Sequence, residues 1–375
     1  MDWHYMDRFQ IDSHKLIYHP QRVADLANAG RDWAKHKNIK PIYAEISSSG
    51  ACNHRCTFCS VDYIGYKPRF LSRLILKGFF KSAQTIGLKS VMFAGDGEPL
   101  LNREIVEIIN DAQNFNIDTS FTTNGVYMTS SFSEKALHNI SWIKISMNAG
   151  TPETYEKIHR TNKDDFEKVW SNLDFAIKLK YSNTQNKIST AIGIQSLILP
   201  DNITSLSALA SRASDTGLDY LVLKPYVHNI YMNQAGYSDI DYAKKEYKNA
   251  IETLKKDFDT DNFKVISRTN ALNKLTGSVE RYSTCWSTPA LWFYISGDGS
   301  VYSCGAHVGS PNFYLGNING ANIADIWQSD QRKNCLDYVQ DELNLESCRR
   351  TCRMDEVNKY LSEVIECRPP HVNFI

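Results

Sequence analysis

From residue 41 onward the chain alternates between two hydrophobic periods. Short runs rich in β-branched and aromatic residues read as strands: IYAEIS (42–47), SVMFAG (90–95), DTSFTT (118–123), WIKISM (142–147), STAIGIQSLIL (189–199) and YLVLK (220–224). Between them, apolar residues recur at helical spacing over 72–86, 103–115, 131–138, 164–180 and 203–216. Repeated strand–helix units of this length predict an α/β fold, a parallel sheet covered by helices and wound into a partial (β/α)6 barrel. Polar residues gather at the carboxyl ends of those strands. Three cysteines follow the first, GDGEP (95–99) the second, TTNG (122–125) the third, and SMNAG (146–150) ends the fourth. Loops at that face of a parallel barrel converge, so it is where an active site is expected.

The rhythm changes at both ends. Residues 1–40 read as a helical lead-in, with a helix from His14 to about Lys37. After Lys224 a helix is expected over 241–257 and a last strand at FKVIS (263–267). YISGDGSVYSCG (294–305) reads as a hairpin turning at Gly-Asp-Gly, and IADIWQSDQRKNCLDYV (323–339) as a helix. The expected division is a lead-in (1–40), a barrel (41–268), a small α+β domain (269–367) and a tail (368–375). There is no internal repeat.

Charge narrows the function classes. Lysine plus arginine and aspartate plus glutamate number 42 each, without the basic excess of a nucleic-acid surface. No apolar run is long enough to cross a bilayer, and the N-terminus MDWHYMDRFQIDSHK lacks the apolar centre of a signal peptide. A cytoplasmic protein with reduced thiols is expected. Its nine cysteines then point to metal or redox chemistry rather than disulfides. None lies between Cys59 and Cys285, which implies two sites.

The first group, CNHRCTFC (52–59), is spaced C-x3-C-x2-C. Three thiolates on a four-iron cube leave one iron open for chemistry. Alone, the triad is also half of a zinc site. Together with GDGEP after the next strand it resembles the radical S-adenosylmethionine (SAM) enzymes, over roughly residues 40–230. The resemblance implies that SAM chelates the open iron through its amino and carboxylate groups. An electron then cleaves SAM to methionine and a 5′-deoxyadenosyl radical, which takes a hydrogen atom from substrate. By the same resemblance, Cys52, Cys56 and Cys59 would ligate a [4Fe–4S] cluster and Phe58 would lie near the adenine. Gly95, Asp96, Gly97 and Glu98 would receive the methionine amino group, Asp96 standing where the family more often has a second glycine. Ser146 and Asn148 would meet the ribose or carboxylate of SAM, with Arg160 and Asn124 as further cofactor contacts. A reducing partner such as flavodoxin or ferredoxin is implied.

The second group, Cys285, Cys304, Cys348 and Cys352, resembles the twitch domain, a shorter relative of the SPASM domain, over about 283–354. The resemblance implies one auxiliary [4Fe–4S] cluster on these four thiolates. The final pair is C-x3-C where C-x2-C is usual, and a structural zinc is the alternative occupant. Cys335 and Cys367 are left over, as packing residues or as a thiol donating hydrogen to a substrate radical. Twitch-bearing relatives imply a polar small-molecule substrate. The expected reaction is oxidation of an alcohol carbon of a sugar, aminocyclitol or nucleotide sugar, with the auxiliary cluster accepting an electron. Gln195, Lys224, Tyr226 and His228, after the last strands, are the candidate substrate contacts.

The alternatives are epimerisation, with a cysteine returning the hydrogen, and peptide modification. Molybdenum-cofactor cyclases are similar too, but they end in Gly-Gly and carry a different second triad. This chain ends HVNFI, which disfavours them. An iron–sulfur electron carrier or a zinc-stabilised binding module is the non-enzyme alternative. GDGEP and SMNAG argue against it, because a carrier needs no SAM pocket.

Overall fold

The computed structural model describes residues 8–182, 187–234, 236–277, 281–367 and 369–374. Seven parallel strands form in chain order: β1 (Tyr43–Ile46), β2 (Ser90–Phe93), β3 (Asp118–Thr123), β4 (Ile140–Ser146), β5 (Ala191–Ile198), β6 (Tyr220–Pro225) and β7 (Lys264–Ser267). Preceding them are α1 (Pro20–Ala29) and α2 (Trp33–His36). Between them run α3 (Arg73–Thr85), α4 (Ile105–Gln113), α5 (Ser130–Ala136), α6 (Pro152–His159), α7 (Asp164–Ser182), α8 (Leu206–Thr216) and α9 (Lys245–Phe258). Strand alternation sorts the side chains. On β4, Ile143 and Ile145 are buried, while Trp142, Lys144 and Ser146 on the opposite face are part-exposed. The apolar faces share one core with the helices, including Phe93, Phe121, Ile145, Leu173 and Leu209. Ser72, Thr129 and Thr151 cap α3, α5 and α6 by accepting a backbone N–H in the first turn.

The sheet curls around a lumen. Arg353 lies 3.0 Å from Glu45 on β1, and its charge also acts on Lys144 of β4 and Lys224 of β6. β1 and β6 are five places apart in the sheet, which is about 24 Å if flat. One side chain serves both only if the sheet curls around a shared interior.

The boundary expected at 268/269 does not separate one sheet from another. β8 (Trp292–Ile295) pairs in parallel with β1, from Tyr43 opposite Trp292 to Ile46 opposite Ile295. β9 (Ser300–Tyr302) and β10 (Tyr314–Asn317) continue antiparallel, giving one ten-stranded sheet. Without β8, β1 would present an unpaired edge, and the wholly buried strand WFYI covers it. After β7 come α10 (Thr269–Thr276), then α11 (Ile323–Trp327), α12 (Asp330–Asp341) and α13 (Asp355–Ile365). The single helix expected over 323–339 is broken at Ser329, whose side chain caps α12.

The lead-in helix is likewise in two pieces, broken at Gly30 (φ +50°). It packs on the C-terminal region: Val23 and Leu26 of α1 share a core with Leu291 and Leu361. Asp12 accepts from Arg268 Nε (2.9 Å) and from the Asn270 N–H (2.7 Å). Residues 8–40 therefore strap the barrel to the C-terminal region. No described helix is long and apolar enough to cross a membrane.

Candidate active site

The loop after β1 carries Cys52, Cys56 and Cys59, and the loop after β2 lies directly against it. Glu98 N–H donates to Ala51 O at 2.7 Å. Gly97 is required there, because a Cβ would sit 2.2 Å from Ala51 O and 2.6 Å from Ser49 O. Burial first, and the Glu98 carboxylate next, push the Cys52 thiol up to about 12. Burial, then Cys59 and Cys52, hold Cys56 well above the usual thiol range. Three neighbouring thiols of this kind ionise when a metal stabilises the thiolates.

The GDGE residues are more committed than the sequence indicates. Asp96 is buried, and its carboxylate accepts from the Tyr294 hydroxyl and from the Gly297 N–H (3.0 Å). Burial raises its pKa to about 6 against those two bonds. Where the family more often has glycine, this chain uses the side chain to clamp the β2 loop to the β8–β9 hairpin. Glu98 accepts from Thr123 Oγ1 (2.5 Å), Asn124 N–H (2.8 Å) and Leu100 N–H (3.0 Å). Its carboxylate braces β2 to β3. Asn124 Nδ2 donates to Asn53 Oδ1 in the cysteine loop at 2.8 Å.

Ser146 faces the lumen at the end of β4. Asn148 is buried; its Oδ1 accepts from Leu197 N–H (2.6 Å), while its Nδ2 is buried without a partner. An orphaned donor beside the cysteine loop suits a polar cofactor such as SAM. Arg160 is exposed, in the left-handed conformation at the C-terminus of α6. Phe58 is part-buried, edge-on to the His159 ring at 5.6 Å.

His159 is absent from the motifs yet central in the structure. It is fully enclosed and neutral, burial holding its pKa well below the usual imidazole range. Its Nε2 accepts from Asn148 N–H (3.1 Å), so the ring proton sits on Nδ1, 3.4 Å from Cys56 Sγ. His159 thus joins SMNAG to the cysteine loop. His54, Cys56 and His159 also offer ligand atoms within 4.8 Å of one another. The bond from Asn148 already occupies one ring nitrogen of His159.

The second thiol group is electrostatically coupled. Burial is the main cause raising Cys304, Cys348 and Cys352, and Cys285 adds to all three. Asn358 Nδ2 lies 3.3 Å from Cys285 Sγ. His307 Nε2 lies 3.6 Å from Cys348 Sγ, and its Nδ1 lies 3.2 Å from the Tyr231 hydroxyl. Tyr231 packs on Tyr63 at 5.6 Å, and Tyr63 donates to Val308 O (3.2 Å). Tyr63 comes just after the first cysteine loop, so a short line of rings links the two thiol groups.

Gln195 and Lys224 face the lumen from β5 and β6, with Gln195 Oε1 3.5 Å from Lys144 Nζ. Tyr226 is buried, its hydroxyl 3.4 Å from His228 Nδ1 and 3.0 Å from Met232 Sδ. Two thiols are left over from these groups, Cys335 and Cys367. Cys335 is 1 % exposed in the core, its Sγ 3.0 Å from Ser303 Oγ, and Cys367 is exposed beyond α13. Missed from sequence were Lys144, Arg349 and Arg353. The signal was present: lysine on the face of WIKIS opposite its isoleucines, and three arginines around the final cysteine pair.

Three thiols follow the first strand of a parallel barrel, and four more lie around the extension of its sheet and the segment between α12 and α13, an arrangement suited to iron–sulfur clusters. Residues 46–195 match the radical SAM superfamily, and residues 285–353 match SPASM, an iron–sulfur cluster-binding domain. The chain thus carries a radical SAM domain followed by a C-terminal iron–sulfur cluster-binding domain. Its cofactors are SAM, a [4Fe–4S] cluster and an auxiliary iron–sulfur cluster. GTP 3′,8-cyclase of Clostridium acetobutylicum is 30% identical over 189 residues, 49% of this chain and 56% of that protein. A probable GTP 3′,8-cyclase of Methanocaldococcus jannaschii is 25% identical over 195 residues, 50% and 62% respectively. The chain thus spans little more than half the length of these curated relatives. SuiB of Streptococcus suis bound to SAM superposes with a TM-score of 0.63 at 16% identity, covering 89% of this chain and 75% of that one. Native anSMEcpe with bound AdoMet gives 0.59 at 20% identity, covering 85% and 88%. These two likenesses show the fold.

Proposed function

We propose that this enzyme oxidises an alcohol carbon of a polar small molecule, such as a sugar, aminocyclitol or nucleotide sugar, held in the lumen between its two thiol groups. The observation that carries the reading is the short connection between those groups, from Tyr63 through Tyr231 and His307 to Cys348. Cys52, Cys56 and Cys59 would hold the SAM-binding cluster, and Cys285, Cys304, Cys348 and Cys352 the auxiliary one. When bound, SAM and its cluster supply hydrogen-atom abstraction, and the auxiliary cluster supplies an electron acceptor. The chain's own residues position and shield. His159 Nδ1 donates toward Cys56 and fixes that ligand. Asn148 Nδ2, Ser146 and the backbone at Gly95 and Gly97 are the contacts for SAM. Phe58 covers the loop, and Gln195 reaches into the lumen beside Lys144. Loss of a hydrogen atom from carbon, then of an electron and the hydroxyl proton, makes a two-electron oxidation. A flavodoxin or ferredoxin is the proposed source of the electron that starts the reaction.

Epimerisation is the weaker reading, because the two spare thiols are buried in the core or exposed beyond α13. Peptide modification is the second reading: SuiB is known bound to precursor peptide SuiA, and anSMEcpe bound to the Cp18Cys peptide. The relatives named GTP 3′,8-cyclase favour a nucleotide-bearing substrate.

The test is an anaerobic iron, sulfide and zinc count on the Cys52/Cys56/Cys59→Ala variant. About four irons and four sulfides are expected to remain on the four-cysteine set. One zinc, or little iron, overturns the electron-acceptor role. Reductive SAM cleavage by the wild-type protein separates an enzyme from an electron carrier. A product at the same oxidation level as its substrate sinks the oxidation reading.

A further inference from the structure

The lumen holds more positive charge than its carboxylates balance. Lys144 and Lys224 enter it from β4 and β6, Arg268 from the end of β7, and Arg349 and Arg353 from the segment carrying Cys348 and Cys352. Two of these cations are paired: Arg353 with Glu45 at 3.0 Å, and Arg268 with Asp12 at 2.9 Å. Among the described residues, no carboxylate lies within 4.0 Å of Lys144, Lys224 or Arg349. Lys144 reaches only the neutral Gln195 Oε1 at 3.5 Å and the Trp142 ring at 5.0 Å. Arg349 spends Nη2 on Val227 O at 3.2 Å, and its Nε is buried without any partner.

We infer that the substrate carries a multiply charged oxyanion, a phosphate, diphosphate or polycarboxylate, that docks among Lys144, Lys224 and Arg349. This rests on the proposed reading of the lumen as the substrate site. Enclosed unpaired cations are costly to a fold, and removing them is commonly stabilising. They persist where a ligand supplies the counter-charge. Two ammonium groups and one guanidinium suit an anion of about two to three charges, and the guanidinium fork fits two oxygens of one phosphoryl or carboxyl group. All three side chains are part-exposed, so they open on the lumen rather than being sealed in the core.

The electrostatics agree. Burial, then Arg349, Arg268, Arg353 and Lys144, hold the Lys224 ammonium well below its ordinary range. Burial, then Arg353 and Arg268, bring Lys144 down to about 7; Lys15 adds to this and Glu45 opposes it. Cluster thiolates would absorb some positive charge at Arg349 and Arg353, which flank Cys352. Lys144 and Lys224 stand on barrel strands and are the discriminating pair.

The experiment is calorimetric titration of the full-length, anaerobically reconstituted protein with pyrophosphate and, separately, with tricarballylate at low ionic strength. Wild type is compared with Lys224→Met, Lys144→Met, and Lys248→Met on the exposed side of α9, where the lysine is 75% exposed. Saturable one-to-one binding of at least one anion is expected, weakened about tenfold or more in each lumen variant and unchanged in Lys248→Met. The tighter anion identifies a phosphoryl or a carboxylate source. Melting temperature guards against misfolding. Lys224→Met is expected to melt higher than wild type without anion, yet to lose most of the anion-induced rise. No saturable binding to wild type, or equal binding to Lys224→Met, overturns the inference and leaves the cations as balance for the clusters. Because the titration needs no turnover, it fails independently of the proposed function. Pyrophosphate binding without SAM cleavage removes only the enzymatic reading; SAM cleavage without anion binding removes only this one.

Discussion

Gly97→Ala tests whether the β2 loop seats the cysteine loop. The added Cβ would meet Ala51 O at 2.2 Å, Ala51 C at 2.7 Å and Ser49 O at 2.6 Å. Real Cβ contacts essentially never fall below 3.0 Å, and all three atoms are backbone, so no side chain can swing away. The two loops must separate by roughly an ångström, which is overpacking of about 1–3 kcal/mol. That displacement also breaks the 2.7 Å bond from Glu98 N–H to Ala51 O, worth about a further 1 kcal/mol. Ala51 adjoins Cys52, so the disturbance falls on the proposed cluster loop. The assay is iron and sulfide content after reconstitution, together with the melting temperature. Wild type is expected to hold about eight irons and the variant nearer four, with the four-cysteine set as internal reference. Gly78 in α3, where a Cβ meets nothing within 4 Å, is the control. Gly78→Ala is expected to leave iron unchanged and to stabilise by about 1 kcal/mol. A Gly97→Ala protein with full iron and an unaltered melting temperature refutes the close-approach argument.

Two further outcomes concern Asp96 and Cys335. Asp96 has its folded pKa raised to about 6 from 3.8, so its ionised form opposes folding; the protein gains stability as pH falls through 6 toward 4. The difference is about 3 kcal/mol at most, from 1.36 kcal/mol per pH unit. Asp96→Asn, compared with wild type in melts from pH 4 to 8, is expected to be the more stable protein at pH 8 and to lose that advantage by pH 4. A less stable variant at pH 8 would mean that the bonds from Tyr294 and Gly297 outweigh burial of the charge. Cys335→Ala is expected to cost about 1 kcal/mol of stability through lost packing and to leave product formation intact. Retained SAM cleavage with lost product would restore a hydrogen-donating thiol.

The strands were readable because their composition is local. DTSFTT is β3 residue for residue, and the isoleucines of WIKIS mark the buried face of β4 without any knowledge of their neighbours. The cysteine spacings were readable for the same reason, since one loop must present all three thiols. Helix α6 was missed although Thr151 caps it and Pro152 begins it, because it is short and directly continues the polar SMNAG loop. The break at Ser329 was hidden by a continuous apolar rhythm on either side of it.

Other features depend on partners far apart in the chain. Asp96 looks like a small departure from a glycine motif until Tyr294 and Gly297, some 200 residues later, are found bonded to it. His159 becomes a partner of Cys56 only when α6 returns across the cysteine loop. Nothing in WFYI shows that it will complete the edge of β1, because strand pairing depends on which edge is free once the other strands have paired. The cationic lumen is the plainest case. Five basic residues spread from 144 to 353 are unremarkable in a neutral sequence, and curling of the sheet concentrates them. Local pattern was therefore enough for the barrel strands and the cysteine spacings, whose causes lie within a few residues. The charge, the clamps and the shape of the interior came from long-range packing, where each side chain's role is set by what the fold brings opposite it.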